Sequence, residues 1–101
     1  MLQTQPSAAR GAIGAEHRPR IEATYLLRWE ERQGAFLLLY PEGIVKLNRP
    51  AGEILRRCDG EATVTDIVAD LERAFETTGL SDDVYRFLEA SHAKGWIRTA
   101  A

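Results

Sequence analysis

The chain has 101 residues, 45% of them hydrophobic and 28% charged, with thirteen Lys and Arg against fifteen Asp and Glu for a formal charge of −2. That is the composition of one small soluble domain, whose core is too small to enclose a large catalytic pocket and whose charge gives no strong field for nucleic acid or anionic lipid. The single Cys58 excludes an internal disulfide, and His17 and His92 are too far apart in sequence for a metal site, so a reducing cytoplasm is the expected location and no metal or cofactor is implied.

Residues 1–20 hold Gln, Thr, Ser, Ala, Gly and Pro without apolar periodicity, and are expected to form a disordered tail ahead of a domain spanning 21–101. The tail has no apolar stretch of signal-peptide length. The longest unbroken apolar run, Ala35 to Tyr40, is far too short to span a bilayer.

From Ile21 the pattern has period two. Tyr25, Leu27 and Trp29 alternate with Leu26, Arg28 and Glu30, which predicts a strand with one buried face. Glu31-Arg32-Gln33-Gly34 reads as a turn into a second strand, Ala35 to Tyr40. Tyr40-Pro41-Glu42-Gly43 is a turn signal, with proline at the second place, and leads into a third strand, Ile44 to Leu47. The expectation is a three-stranded meander.

Helical periodicity follows. Asn48 is placed to cap a helix with Pro50 in its first turn, and Ala51, Ile54, Leu55 and Cys58 form its apolar stripe before Asp59-Gly60. Thr63-Val64-Thr65-Asp66 has the form of a capping box with Asp at its last place, and Ile67, Val68, Leu71 and Phe75 are the expected buried stripe of a second helix. Ser81, followed by Asp82 and Asp83, is the expected cap of a third helix with Val84, Phe87, Leu88 and Ser91 facing inward, and Gly95 ends it. Trp96 and Ile97 are expected to pack back across the core. The fold class is therefore α+β, a three-stranded antiparallel meander followed by a three-helix bundle, like a winged helix-turn-helix.

No motif for nucleophilic, nucleotide or cofactor chemistry is present, and no catalytic residue is assigned. Cys58 lies on the apolar stripe, where desolvation suppresses the thiolate. His92, near the end of a helix, complements the dipole there. A winged-helix DNA-binding protein is the alternative reading, but helix three sets Arg86 and Lys94 against Asp82, Asp83 and Glu89, the wrong balance for phosphate. No nucleic-acid or membrane partner is expected.

Two features of the strands suggest binding. The middle strand is apolar on both faces, so Phe36, Leu38 and Tyr40 are candidates for a partner or self-association face, unless the tail or Trp96 covers them. The third strand is an edge, and Ile44, Val45, Lys46 and Leu47 offer unpaired backbone groups to an extended peptide, with Val84 and Leu88 as neighbouring wall residues.

The segments Leu38-Leu39-Tyr40-Pro41-Glu42-Gly43, Lys46-Leu47-Asn48, Ala51 with Ile54-Leu55, Cys58-Asp59-Gly60 and Gly95-Trp96, in this order and spacing, resemble the PqqD family of pyrroloquinoline quinone (PQQ) biosynthesis, from about Pro19 to Arg98. The resemblance implies a non-catalytic peptide chaperone, a RiPP recognition element. Such a protein binds the precursor peptide PqqA and presents it to the radical S-adenosylmethionine enzyme PqqE, which keeps the iron–sulfur clusters and the radical chemistry. It also implies strand addition beside the third strand and over the third helix. That carries the peptide site onto Ile44, Val45, Lys46 and Leu47, with Val84, Tyr85, Leu88 and His92 as wall residues. Monomer and homodimer both remain open.

Overall fold

Two tight turns set three strands side by side. The computed structural model describes residues 13–99. In chain order these form β1 (Arg20–Ile21), β2 (Leu26–Glu30), β3 (Ala35–Tyr40), β4 (Gly43–Leu47), α1 (Arg49–Leu55), α2 (Val64–Ala74), α3 (Ser81–Ala93) and β5 (Ile97–Arg98). The sheet order β2-β3-β4 is antiparallel throughout, with Arg28 opposite Leu37 and Leu37 opposite Lys46. Gly34, at φ 60°, ends the first turn, and Pro41-Glu42 is a two-residue turn closed by Tyr40 and Gly43. The architecture is the expected α+β meander with three helices.

The register sorts the side chains into two faces. Leu27, Phe36, Leu38, Val45 and Leu47 join the core with Ile54, Leu55, Cys58, Val64, Ile67, Leu71, Val84, Leu88 and Ile97. Tyr25 stacks on Tyr40 at 5.2 Å at one end of this inner face, and Trp29 meets Phe36 edge-on at 5.0 Å at the other. Here the partner-face expectation needs correction: Phe36 and Leu38 are buried and Tyr40 is half-buried against Tyr25. The helices cover this set, because it is the one continuous with the apolar stripes of α1 to α3. The row left at the surface is Leu26, Leu39 and Ile44, paired across all three strands, with Leu26 and Ile44 each 61% exposed.

Helix boundaries follow local chemistry. Asn48 Oδ1 accepts from Ala51 N at 2.8 Å, as its sequence position predicts. α1 stops at Leu55, and Cys58 reaches the core through tighter i+3 turns, Arg57 N to Ile54 O and Cys58 N to Leu55 O. The capping box of α2 is complete, with Asp66 N donating to Thr63 Oγ1 and Thr63 N donating to Asp66 Oδ2, both at 3.1 Å. Ser81 does not cap α3. It is the first helical residue, and the Leu80 amide before it donates instead to Glu72 Oε2 at 3.0 Å.

The boundary of the tail also differs from expectation. Residues 1–12 lie outside the described residues; Ile13, which falls within the expected tail, is buried in the core. The arm lies over the start of α2, where Val64 N donates to His17 O at 3.0 Å and Thr65 N to Ala15 O at 3.2 Å. These are first-turn amides that no carbonyl within the helix can reach, so backbone carbonyls of the arm complete the cap. β1 then pairs with β5, Arg20 opposite Arg98 and Ile21 opposite Ile97. Trp96 and Ile97 thus return across the core as expected, as part of a second, two-stranded sheet.

Candidate functional site

β4 is an edge. It pairs with β3 on one side, and among the described residues no strand pairs on the other. The two-residue turn fixes which groups are spent. In an antiparallel pair, hydrogen-bonded and non-bonded positions alternate from the turn, so Tyr40–Gly43, Leu38–Val45 and Phe36–Leu47 are the bonded pairs. The amides and carbonyls of Ile44 and Lys46 therefore point to the open side. Their side chains are exposed on the outer face, while Leu47 is buried and Val45 half-buried on the inner one. The N-terminal arm, the most obvious segment of the chain itself to seal this border, goes instead to β5 and α2 over the described residues.

The four expected wall residues on α3 divide. Val84 and Leu88 are 2% and 0% exposed, so as members of the core they hold the helix in place and have little surface to offer an incoming chain. This corrects the expectation, and the cause is helical phase: both lie on the innermost line of the apolar stripe. Tyr85 is half-buried and His92 exposed. With Glu89 they recur at i, i+4 and i+7, one shared stripe on the helix. Tyr85 lines a cleft of about 240 Å³ with Asp82, Arg86 and Glu89, and Glu89 Oε2 is buried without a hydrogen-bond partner among the described residues.

The sequence reading missed the socket. An apolar pocket of about 320 Å³ lies among α1, α2 and α3, lined by Pro50, Ile54, Leu71, Phe75, Leu80 and Val84, with Arg49 and Asp83 also at its walls. Arg49 and Pro50 begin α1 just past the end of β4, and Asp83 and Val84 lie in the first turn of α3, so the pocket links the strand's end to the helix start. Phe75 was expected on the buried stripe of α2. Instead the helix ends at Ala74, Glu76 takes a left-handed φ of 52°, and Phe75 is 44% exposed.

An ion-pair network crosses from α1 to α2. Arg57 donates through one nitrogen to Glu53 Oε1 at 2.8 Å and through another to Asp70 Oδ2 at 2.6 Å, while Arg49 and Arg56 reach Glu53 at 3.2 and 3.4 Å. Burial pushes the Glu53 carboxyl up, but bonds from Arg57 and Arg49 and the charge of Arg56 outweigh it, so its pKa is below the ordinary value. The bond from Arg57 holds Asp70 low in the same way. Cys58 is the opposite case: burial, with the charge of Asp59, pushes its thiol up to about 12. Among the described residues no group of His, Cys, Asp or Glu is gathered to hold a metal ion, and no helix is long and apolar enough to cross a membrane.

With this geometry in hand, comparison with known proteins is specific. The family model "Coenzyme PQQ synthesis protein D (PqqD)" matches residues 36–97, which run from the middle strand through all three helices to β5. The chain belongs to the PqqD family. It is similar to the "PqqA binding protein" of Methylococcus capsulatus, 45% identical over 80 residues covering 77% of this chain and 86% of that one. The "PqqA binding protein" of Acinetobacter baylyi is 40% identical, over 78% of this chain and 81% of its own. A PqqD fold is also seen in the solution NMR structure of the PqqD truncation of Methylobacterium extorquens PqqCD, described as a stand-alone RiPP recognition element. It superposes with a TM-score of 0.73 at 24% identity, covering 88% of this chain and 97% of that one. This likeness concerns the fold. The PqqD match includes β4, whose outer side is the open edge, and α1, α2 and α3, which line the socket.

Proposed function

We propose that this PqqD-family chain is a non-catalytic peptide chaperone of PQQ biosynthesis, which takes the precursor peptide PqqA as a fourth strand on the open side of β4 and presents it to the radical S-adenosylmethionine enzyme PqqE. The observation that carries the reading is the open side of β4, where Ile44 and Lys46 present their backbone groups within a short distance along the chain of an apolar socket. Main-chain bonds there supply affinity of about 0.5–1.5 kcal/mol each, and the socket supplies choice of side chain. Support for the identity of the peptide comes from the relatives, which carry the name PqqA binding protein. In this reading the peptide contacts Ile44, Lys46, Tyr85 and His92 at the surface, with Val45, Leu47, Val84 and Leu88 supporting them from beneath, and the chain needs no cofactor of its own.

Titration of the isotopically labelled chain with synthetic PqqA tests this directly. The expected result is that the amide resonances of Ile44 and Lys46 move most, together with Tyr85 and the ring of Phe75. Movement confined to β2 or to the β1–β5 sheet would overturn strand addition on β4.

A further inference from the structure

Among the described residues the sheet has a second open border, at β2, and its chemistry differs from that of β4. Trp29 closes the inner face there. Trp29 is 43% exposed and meets Phe36 edge-on. A cleft of about 410 Å³ opens between these rings and α1, lined by Trp29, Phe36, Arg49, Glu53 and Arg56.

The charges in the cleft do not balance. Glu53 is its one carboxylate, with a side chain only 7% exposed, and three guanidiniums, Arg49, Arg56 and Arg57, converge on it. Arg57 is shared with Asp70, which also binds Arg73 at 3.0 Å. The network thus sets four arginines against two carboxylates. Three of the four are exposed, Arg73 at the adjoining cleft and Arg49 and Arg56, with side chains 68% and 56% exposed, at this one, on a chain whose overall charge is −2. The adjoining cleft, which shares Arg56 with this one, holds Arg57 and Arg73 against Asp59, Asp66 and Asp70, so apart from the shared arginine its carboxylates outnumber its cations. There Asp59 is committed to the amides of Glu61 and Ala62, and Asp66 to that of Thr63. The excess of cation is therefore local to the Trp29 side.

From this we infer that the cleft between Trp29 and α1 is a docking site for an acidic segment of a partner protein, with Arg49 and Arg56 binding its carboxylates and Trp29 an adjacent aromatic or apolar side chain. Two guanidinium forks match carboxylates in geometry as well as charge, and an exposed indole beside them completes the set of residue types that dominate protein interfaces. Glu53 beneath keeps both arginines in place without neutralising them. The cleft is lined from β2, β3 and α1 and by no residue of β4, so a chain on the β4 edge and a partner on this cleft can be held together, with Arg49 at the border of both the cleft and the socket. The inference stands on the cleft alone and does not require the peptide reading.

The test uses the full chain and two capped pentapeptides, Ac-Glu-Glu-Tyr-Glu-Glu-NH2 and its counterpart with every Glu replaced by Lys. The acidic peptide is expected to move the indole N–H resonance of Trp29 saturably and to leave that of Trp96 and the amides of Ile44 and Lys46 in place. Raising the salt from about 0.05 to about 0.5 M should weaken this binding severalfold. An Arg49→Gln/Arg56→Gln variant, which keeps much of the aliphatic stems, should weaken it roughly tenfold or more, whereas Arg86→Gln on α3 should not. The proposal is overturned if millimolar acidic peptide leaves Trp29 unmoved, if the lysine peptide moves it equally, or if the double variant, with an unchanged melting midpoint, binds as the parent does. Movement at Ile44 and Lys46 in place of Trp29 would also overturn it, while leaving the β4 site intact.

Discussion

Gly52 in α1 lies so close to Phe36 in β3 that a Cβ built on it would fall 2.7 Å from the Cβ of Phe36 and closer still to its ring. This contact sets the height of the helix above the sheet. Gly52→Ala is expected to destabilise the protein by roughly 1–3 kcal/mol through overpacking, against a helix-propensity gain of at most about 1 kcal/mol. Urea unfolding measures it. Phe36→Leu should recover part of the loss in the double variant, because the residues share one contact; strict additivity would show that the clash is relieved elsewhere.

Proline distinguishes the two sides of β4. At Val45 it removes the amide bonded to Leu38, and should cost roughly 1–3 kcal/mol of stability by leaving a buried carbonyl unpaired. At Lys46 it removes an amide that points away from the sheet. That variant should keep most of its stability and lose about three- to tenfold or more in affinity for PqqA, as measured by calorimetry. Equal peptide affinity in parent and Lys46→Pro would remove the basis for strand addition.

Much of this edge is legible in the sequence, and the reason is period two. Once Tyr40-Pro41-Glu42-Gly43 is read as a turn, Val45 and Leu47 must face one way and Ile44 and Lys46 the other, and the structure places them so. The capping box at Thr63 is legible because it is written in side chains. The arm from Ile13 is not, because it is held largely by carbonyls of His17 and Ala15 on helix amides, a bond any residue can make. The covered face of β3 is ambiguous for a different reason. Both faces are apolar, and only the position of α1, fixed by the missing side chain of Gly52, decides that Phe36 and Leu38 go inward. The socket was hidden because Phe75 fits the period of α2 while lying one residue past its end.

Phe75 tests the socket. With 44% of its surface in water, Phe75→Asp should change stability by less than about 1 kcal/mol while placing a charge on the pocket wall. The expected outcome is loss of PqqA affinity of roughly tenfold or more with β4 resonances unperturbed in the free protein. Unchanged affinity would assign the socket no part in binding.

The lowered carboxyls predict an acid limb. Glu53 and Asp70 are held low by Arg57, and Asp59 by the amides of Ala62 and Glu61, so all three bind protons less readily when folded. Such groups stabilise the fold above their unfolded values, about 3.9–4.3, and lose that contribution as the pH falls through the depressed folded values. Urea midpoints should therefore stay level from neutral pH to about 5 and fall below about 4, with a shallower fall in Glu53→Gln. A midpoint unchanged down to pH 3 would show that these bonds do not persist in solution.

Cys58 reports on the core that the helices share. Its sulfur is buried, donates to Ile54 O at 3.4 Å, and has its pKa raised to about 12 by burial and by the charge of Asp59. Since the thiolate is the nucleophile, at pH 8 far less of the reactive form is present in the folded protein than in ordinary thiols with a pKa near 8.5. Iodoacetamide should therefore label Cys58 slowly in the native protein, and labelling should accelerate through the urea transition as the fold opens. Rapid labelling without denaturant would mean that the turn from Arg56 to Gly60 opens independently of the core, and the packing of α1 on the sheet would have to be looser than the contact between Gly52 and Phe36 allows.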